Sequence, residues 1–398
     1  MRTVAVLVDV DVTLNCPNDL LMEDKKKLSK NSEPSISQTR PDIFYKVNIV
    51  VIGAGQAGLS AAYHLKKAGL EPGKGFVVLD DEFGPGGAWQ HRWDSLRLSN
   101  VNGINDLPGM KFADAINTKD TELQANIAIP KYFEQYEKTF ELPVIRPIRV
   151  HEVIERNGRF IIRTNGIQFN ALGLINATGT WKTPNCPKYP GWQKFRGRQL
   201  HTGEYKNAEE FIGKHVIIVG GGISAVQLLG EVSKVTQTTW VARRSPDFRK
   251  YEFTREKGRE AVAMVEKRVR EGLPPKSVVS VTGLPITPAI EGMLNSGVLN
   301  RKPMFEEITE TGVRWKDGTT VDADVIFWNT GFRHSLDHFA SLHLKNDKKG
   351  IEMDGKLATR VAKDPRIHLV GYGPSASTIG ANRAGRIAAK ELIETLQL

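Results

Sequence analysis

The chain has 398 residues, 40% of them hydrophobic and 25% charged, with a formal net charge of +10. That length carries roughly two or three domains with sizeable cores, the balance is ordinary for a globular chain, and no apolar run reaches the roughly 18 residues a membrane span needs. The positive balance meets no nucleic-acid motif and no long basic amphipathic helix, so it reads as a surface that favours anionic cofactors.

Residues 1–45 differ in character from the rest of the chain. Val4–Val12 has the pattern of a short strand, and Glu23–Pro41 is rich in Lys, Ser, Asn and Pro with little to bury. A disordered leader is expected there. Asp9 and Asp11 interrupt the only apolar stretch, which argues against a signal peptide. A translation start placed too far upstream fits the same segment. An organelle transit peptide fits it less well, because the segment carries several acids.

The next element is the clearest. Val47–Gly58 is an apolar strand that runs into Gly53-Ala-Gly55-Gln56-Ala-Gly58, and Leu59–Lys67 reads as a helix. Such a fingerprint binds a dinucleotide. The first glycine makes the tight turn, the second lets backbone approach a pyrophosphate, and the third lets helix pack on strand. The free N–H groups of the helix start then face the phosphates. A second strand, Gly75–Asp80, ends in an acid roughly 20 residues further on, placed to accept hydrogen bonds from ribose hydroxyls and to repel a 2′-phosphate. Asp81 is the alternative for that role. The first site is therefore expected to hold FAD or NAD, not NADP. Phe83–Trp89 comes next, with Gly86, Gly87 and Trp89 placed to pass close to a flavin and cover it. The same residue types also fit a plain turn and a core tryptophan.

A second fingerprint begins at His215, with Gly220, Gly222 and Ala225 at the three positions and Val226–Val232 as its helix. Its second strand, Thr238–Ala242, ends in Arg243 and Arg244 instead of an acid. Paired guanidinium groups suit a 2′-phosphate, which predicts NADPH there. Surface arginines are the plainer reading. Two fingerprints on one chain imply electron transfer between two dinucleotides. Leu174–Gly179 and Val325–Gly331 are similar apolar strands ending in Thr-Gly, at Thr178-Gly179 and Thr330-Gly331. They suggest where the chain leaves the first domain and re-enters it. The expected organisation is a first dinucleotide-binding domain over 46–185, a linker and NADPH-binding domain over 186–321, and a return to the first domain over 322–398. The fold class is α/β, with two nested Rossmann-like modules.

The two cysteines, Cys16 and Cys186, form no Cys-x-x-Cys pair, so a redox dithiol is not expected. Low cysteine use and no clear signal peptide fit a reducing cytoplasm. His334, His338 and His343 have partly helical spacing but no supporting ligand set, so surface histidines are expected and no metal.

Phe195–Tyr205 matches the pattern F-x-G-x(3)-H-x(3)-Y/F through Phe195, Gly197, His201 and Tyr205, just before the second fingerprint. With the ordered glycines, Gly86-Gly87-x-Trp89 and Ala177-Thr178-Gly179, the chain resembles the flavin-containing and Baeyer–Villiger monooxygenase superfamily over residues 47–398. Trp93–Leu98 and Gly371–Ala376 make it most similar to compact bacterial CzcO-type oxidoreductases.

The resemblance implies FAD on the first module and NADPH on the second. It also implies a C4a-(hydro)peroxyflavin that transfers one oxygen atom of O2 to a small organic substrate. It places Asn100 and Arg97 near the flavin as the residues closest to catalysis, although Asn100 also fits a simple turn. Val150 presents backbone to the adenine, and Ser224 meets the NADPH pyrophosphate. The loop with Gly371, Ser375 and Thr378 cradles the flavin's ribityl end. Many relatives carry an Asp after the glycine of that strand, where this chain has Tyr372. His201 and Tyr205 are expected to link domains. Family members are often dimers. A flavin reductase or NADPH oxidase that inserts no oxygen is the main rival, and a non-catalytic flavoprotein sensor is the second.

Overall fold

A computed structural model describes residues 44–101, 104–117, 120–250, 255–276 and 283–398. Most of the leader expected at 1–45, including Val4–Val12, lies outside the described residues. Its last residues do not continue that expectation: Phe44–Lys46 is a strand, paired parallel with Gln168–Ala171.

The first module is a seven-stranded sheet. Its parallel centre places Ile49–Ile52 between Phe76–Leu79 and Gly173–Asn176, with Asp364–Leu369 beyond the last. All four residues of Ile49–Ile52 and of Phe76–Leu79 are buried. These are uninterrupted apolar runs, as a sheet covered on both faces requires. Helix Gln56–Lys67 lies on one face and buries Ala57, Leu59, Ala61, Ala62 and Leu65. The C-terminal helix Thr378–Leu396 crosses it at close range: a Cβ on Gly385 would lie 2.8 Å from the Ala61 nitrogen. Small residues set that distance. On the other face a four-stranded sheet brings Val150–Arg156 to the edge of the cleft.

The second module has a four-stranded parallel sheet, in the order Gln237–Val241, His215–Val219, Val325–Trp328, Arg198–His201. This corrects one expectation. Val325–Trp328 does not re-enter the first sheet; it pairs with His215–Val219, from Val216↔Val325 to Val219↔Trp328. The return comes only after Gly331. Thr-Gly marks a crossing between modules in both places, but it does not say which sheet the strand before it joins.

The two crossings lie side by side. Pro184 and Phe332 form an antiparallel bridge, the Asn185 N–H donates to the Gly331 carbonyl at 2.9 Å, and the Arg333 N–H donates to the Thr183 carbonyl at 2.8 Å. The charged stretch Arg255–Arg270 forms a helix. It packs back onto the first module, where Val269 is fully buried against the loop at Gly373.

Candidate functional site

A cleft of about 550 Å³ opens at the carboxyl ends of the first module's strands. The residues of the first fingerprint build its floor. Gly53 has φ +100°, and a Cβ there would lie 2.6 Å from the Ala177 carbonyl oxygen. At Gly58 a Cβ would lie 1.8 Å from the Gly53 carbonyl oxygen, so only glycine lets helix and turn meet. At Gly55 a Cβ would meet nothing within 4 Å, because that position faces the open cleft. No side chain caps the helix at Gly55. Its first N–H groups therefore point into the cleft with the positive end of the helix dipole behind them. These features fit a dinucleotide pyrophosphate.

Asp80 is only 5% exposed. Oδ2 accepts from the Ala54 N–H at 2.6 Å and Oδ1 from the Glu82 N–H at 2.9 Å, so the carboxylate ties the glycine turn to the strand end. Arg146 stands 3.6 Å behind it and forks onto Glu137 with two bonds of 2.7 Å. Asp81 pairs with Lys182, which also holds Glu82. Burial alone would raise the Glu82 carboxyl; His91 and Lys182 outweigh it and hold it at about 2.

The structure brings most of the nominated residues into this cleft. Gly53, Gly55, Gln56, Asp80, Gly87, Trp89, Val150, Thr178, Gly179, Gly371, Ser375 and Thr378 all line it. Gln56 is anchored by bonds from Nε2 to Asn382 Oδ1 at 2.8 Å and to the Asn105 carbonyl at 3.2 Å. Thr178 Oγ1 donates to the Ser335 carbonyl at 2.7 Å. The Ser375 hydroxyl is consumed locally: it accepts from the Tyr372 N–H at 3.1 Å and donates to the Tyr372 carbonyl at 2.8 Å. Thr378 Oγ1 accepts from Asn105 Nδ2.

Asn100 and Arg97 do not line the cleft. Asn100 is exposed, and Arg97 Nη1 donates to the Glu122 carbonyl at 3.2 Å, stitching its segment to the stretch before helix Ala125–Thr139.

The second fingerprint has the same build. Gly220 has φ +151°, a Cβ there would lie 2.3 Å from the Asn329 carbonyl oxygen, and Gly222 faces open space with no side-chain cap. Ser224 is partly exposed in the first turn of the helix Ile223–Val232. Arg243 and Arg244 are exposed at the end of Gln237–Val241, and a Cβ on Gly221 would lie 3.6 Å from the Arg244 carbonyl oxygen. Neither arginine makes an ion pair among the described residues. Arg301 Nη1 buttresses the same corner through the Ala242 carbonyl at 2.6 Å.

His201 and Tyr205 join parts of the structure. His201 Nε2 lies 2.9 Å from the Gly331 carbonyl oxygen, and burial lowers its pKa to about 4, so the ring is neutral at pH 7. The Tyr205 hydroxyl donates to Glu231 at 2.5 Å, and the Ser95 hydroxyl of the first module donates to the same oxygen at 2.5 Å.

Sequence reasoning missed Trp181, Phe332, Arg92 and His338, which all line the cleft. Trp181 stacks between His91 and Phe332, at centroid distances of 6.2 and 4.9 Å. Arg92 lies over both Trp181 and Trp89. His338, expected on the surface, is buried in the cleft wall with Nε2 2.8 Å from Asn176 Oδ1. A usable signal existed only for Trp181 and Phe332, aromatic residues just past the two Thr-Gly crossings. No group of His, Cys, Asp or Glu fit to hold a metal occurs among the described residues.

Two nested modules with two such glycine turns define a two-dinucleotide-binding flavoprotein oxidoreductase. The profile of the pyridine nucleotide-disulphide oxidoreductase family matches residues 50–371. The chain is 28% identical over 295 residues to oxidoreductase CzcO of Bacillus subtilis, covering 72% of this chain and 81% of that one. It is 25% identical over 370 residues to flavin-containing monooxygenase 5 of Oryctolagus cuniculus, covering 81% and 68%. The solved flavin-containing monooxygenase of Stenotrophomonas maltophilia superposes with a TM-score of 0.73 at 34% identity, covering 88% of this chain and 99% of that one. The chain belongs to the pyridine nucleotide-disulphide oxidoreductase family, as a flavoprotein of the flavin-containing monooxygenase type related to CzcO. It is an FAD-dependent oxidoreductase whose cofactors are FAD and NADPH. No helix among the described residues is long and apolar enough to cross a membrane.

Proposed function

We propose that the protein is an NADPH-dependent monooxygenase that transfers one oxygen atom from O2 to a small organic substrate, at a heteroatom or a carbonyl. The observation that carries this reading is the asymmetry of the two strand ends. A buried carboxylate, Asp80, stands beside the first glycine turn. Two exposed guanidinium groups, Arg243 and Arg244, stand beside the second. A carboxylate disfavours a 2′-phosphate, and paired guanidinium groups attract one.

FAD, when bound, would supply the redox chemistry, with NADPH as hydride donor and O2 as electron acceptor. The chain's own residues bind and orient. Gly53, Gly55, Gly58 and the open N-terminus of Gln56–Lys67 receive one pyrophosphate; Gly220, Gly222 and Ser224 receive the other. Asp80 accepts from a ribose while it holds the turn. Val150 would border the adenosine end and Gly371, Ser375 and Thr378 the flavin end, with Thr178 and Gly179 lining the same cleft. Trp89, Trp181 and Phe332 wall the cleft against water, which a reactive oxygenated state requires.

The test is coupling. The holoenzyme is reduced with NADPH in air with a panel of sulfides, amines and ketones, and oxygenated product and hydrogen peroxide are counted per NADPH. Product near stoichiometric supports oxygen insertion; peroxide alone with every substrate overturns it. Electron transfer without oxygen insertion is the second reading, favoured by the placement of Asn100 and Arg97 outside the cleft. Cofactor choice is checked separately. Arg243→Ala with Arg244→Ala is expected to lower kcat/KM for NADPH by roughly 10- to 100-fold, as for lost charge-assisted bonds, and to leave NADH use nearly unchanged.

A further inference from the structure

Arg92, Arg149 and Lys182 line the cleft and Arg146 stands behind Asp80; Arg149 is exposed to solvent, and two of the other three are matched by acids. Lys182 bonds Asp81 and Glu82 at 2.8 Å each, and Arg146 forks onto Glu137. Arg92 is the third, and no acid among the described residues meets it. Its guanidinium lies 4.5 Å from the Trp181 ring centroid and 5.6 Å from that of Trp89. It donates no hydrogen bond to any described residue, and its Nε is buried without a partner. Burial lowers its pKa to about 10, so it stays charged at pH 7.

A guanidinium whose buried Nε has no acceptor is costly unless a ligand supplies one. The two indole faces hold the cation in place without neutralising it. Its position links it to the glycine turn. Arg92 directly succeeds the 3-10 helix Gly87–His91, and a Cβ on Gly87 would lie 3.0 Å from the Gly55 Cα. The glycine turns themselves offer only neutral N–H donors and a partial dipole charge to a pyrophosphate that carries negative charge on both of its phosphates.

We propose that Arg92 is an oxyanion-binding residue of the cleft, receiving phosphate oxygens of a bound dinucleotide through its guanidinium. FAD and NADPH both carry that chemistry. The inference rests on the cofactor pair and not on oxygen insertion, so it holds or fails independently of the coupling test.

The experiment uses the holoenzyme and the variants Arg92→Met and Arg92→Lys. FAD release is read by flavin fluorescence on dilution, and NADP⁺ binding by perturbation of the flavin absorbance. Arg92→Met is expected to weaken one of the two by roughly tenfold or more, the usual size of a lost charge-assisted bond. Release of FAD at higher protein concentration than in the parent assigns the oxyanion to FAD. Unchanged FAD retention with a raised Kd for NADP⁺ assigns it to NADPH. Arg92→Lys keeps the charge without the stacked fork, and is expected to recover part of the loss. If Arg92→Met does not fold, Arg92→Lys carries the test with an expected loss of about threefold. Both affinities unchanged from the parent, in the variant that folds, overturn the proposal.

Discussion

Asp80 shows how one side chain serves structure and ligand together. Both of its oxygens already accept backbone N–H groups, one from the glycine turn and one from its own loop. In Asp80→Asn, one of those positions becomes an NH2 that faces a donor, leaving a buried N–H unsatisfied at about 1–3 kcal/mol. Lower thermal stability and roughly tenfold weaker FAD retention are expected together, read by melting temperature and by the flavin content after gel filtration. A carboxylate that only touched ribose would change the second and spare the first. The residues legible from sequence are those whose role is local. Gly53 and Gly58 belong to one short strand-to-helix turn, and Asp80 ends the strand beside it. Arg92 and His338 are not legible, because each acquires its role from partners brought close only by the fold: Arg92 from Trp181, His338 from Asn176. Asn100 and Arg97, which the family resemblance places beside the flavin, do not line the cleft, and Arg97 bonds the Glu122 carbonyl.

Helix Gln56–Lys67 separates the demands of packing from those of binding within one element. Gly58→Ala would drive a methyl group into the Gly53 carbonyl, 1.8 Å away, and backbone cannot give that distance cheaply. The expected cost is at least about 1–3 kcal/mol, the range for overpacking. Gly55→Ala adds a methyl group that meets nothing of the protein within 4 Å. It is expected to leave the melting temperature of the FAD-free protein unchanged and to weaken FAD binding by blocking the pyrophosphate. Measuring both variants with and without FAD distinguishes the two glycines. The strand Val325–Trp328 marks the limit of reading elements in isolation. Its apolar run and Thr-Gly end are legible, yet sheet membership depends on register with His215–Val219, which no local pattern encodes.

Buried histidines give the whole molecule a pH dependence. Burial lowers His64, His201, His334 and His338 to about 4 and His368 to about 3. Near the ordinary value of 6.5 the unfolded chain begins to bind protons that the folded chain refuses. Their contribution to stability is therefore full above pH 6.5 and falls as pH drops toward 4. A melting temperature that declines steadily from about pH 7 to about pH 4.5 is expected; a flat profile would mean that these rings are hydrated.

The nesting of one module inside the other also orders events during synthesis. The middle module is contiguous from Arg198 to Trp328, and every strand of its sheet has left the ribosome before the outer module is complete. The outer sheet must wait for Asp364–Leu369, and its glycine helix must wait for Thr378–Leu396 to cover it. Domains fold as units while the chain emerges. The middle sheet can thus form while the outer half is still an open sheet, and the cleft of the outer module is complete only once the last helix has joined it.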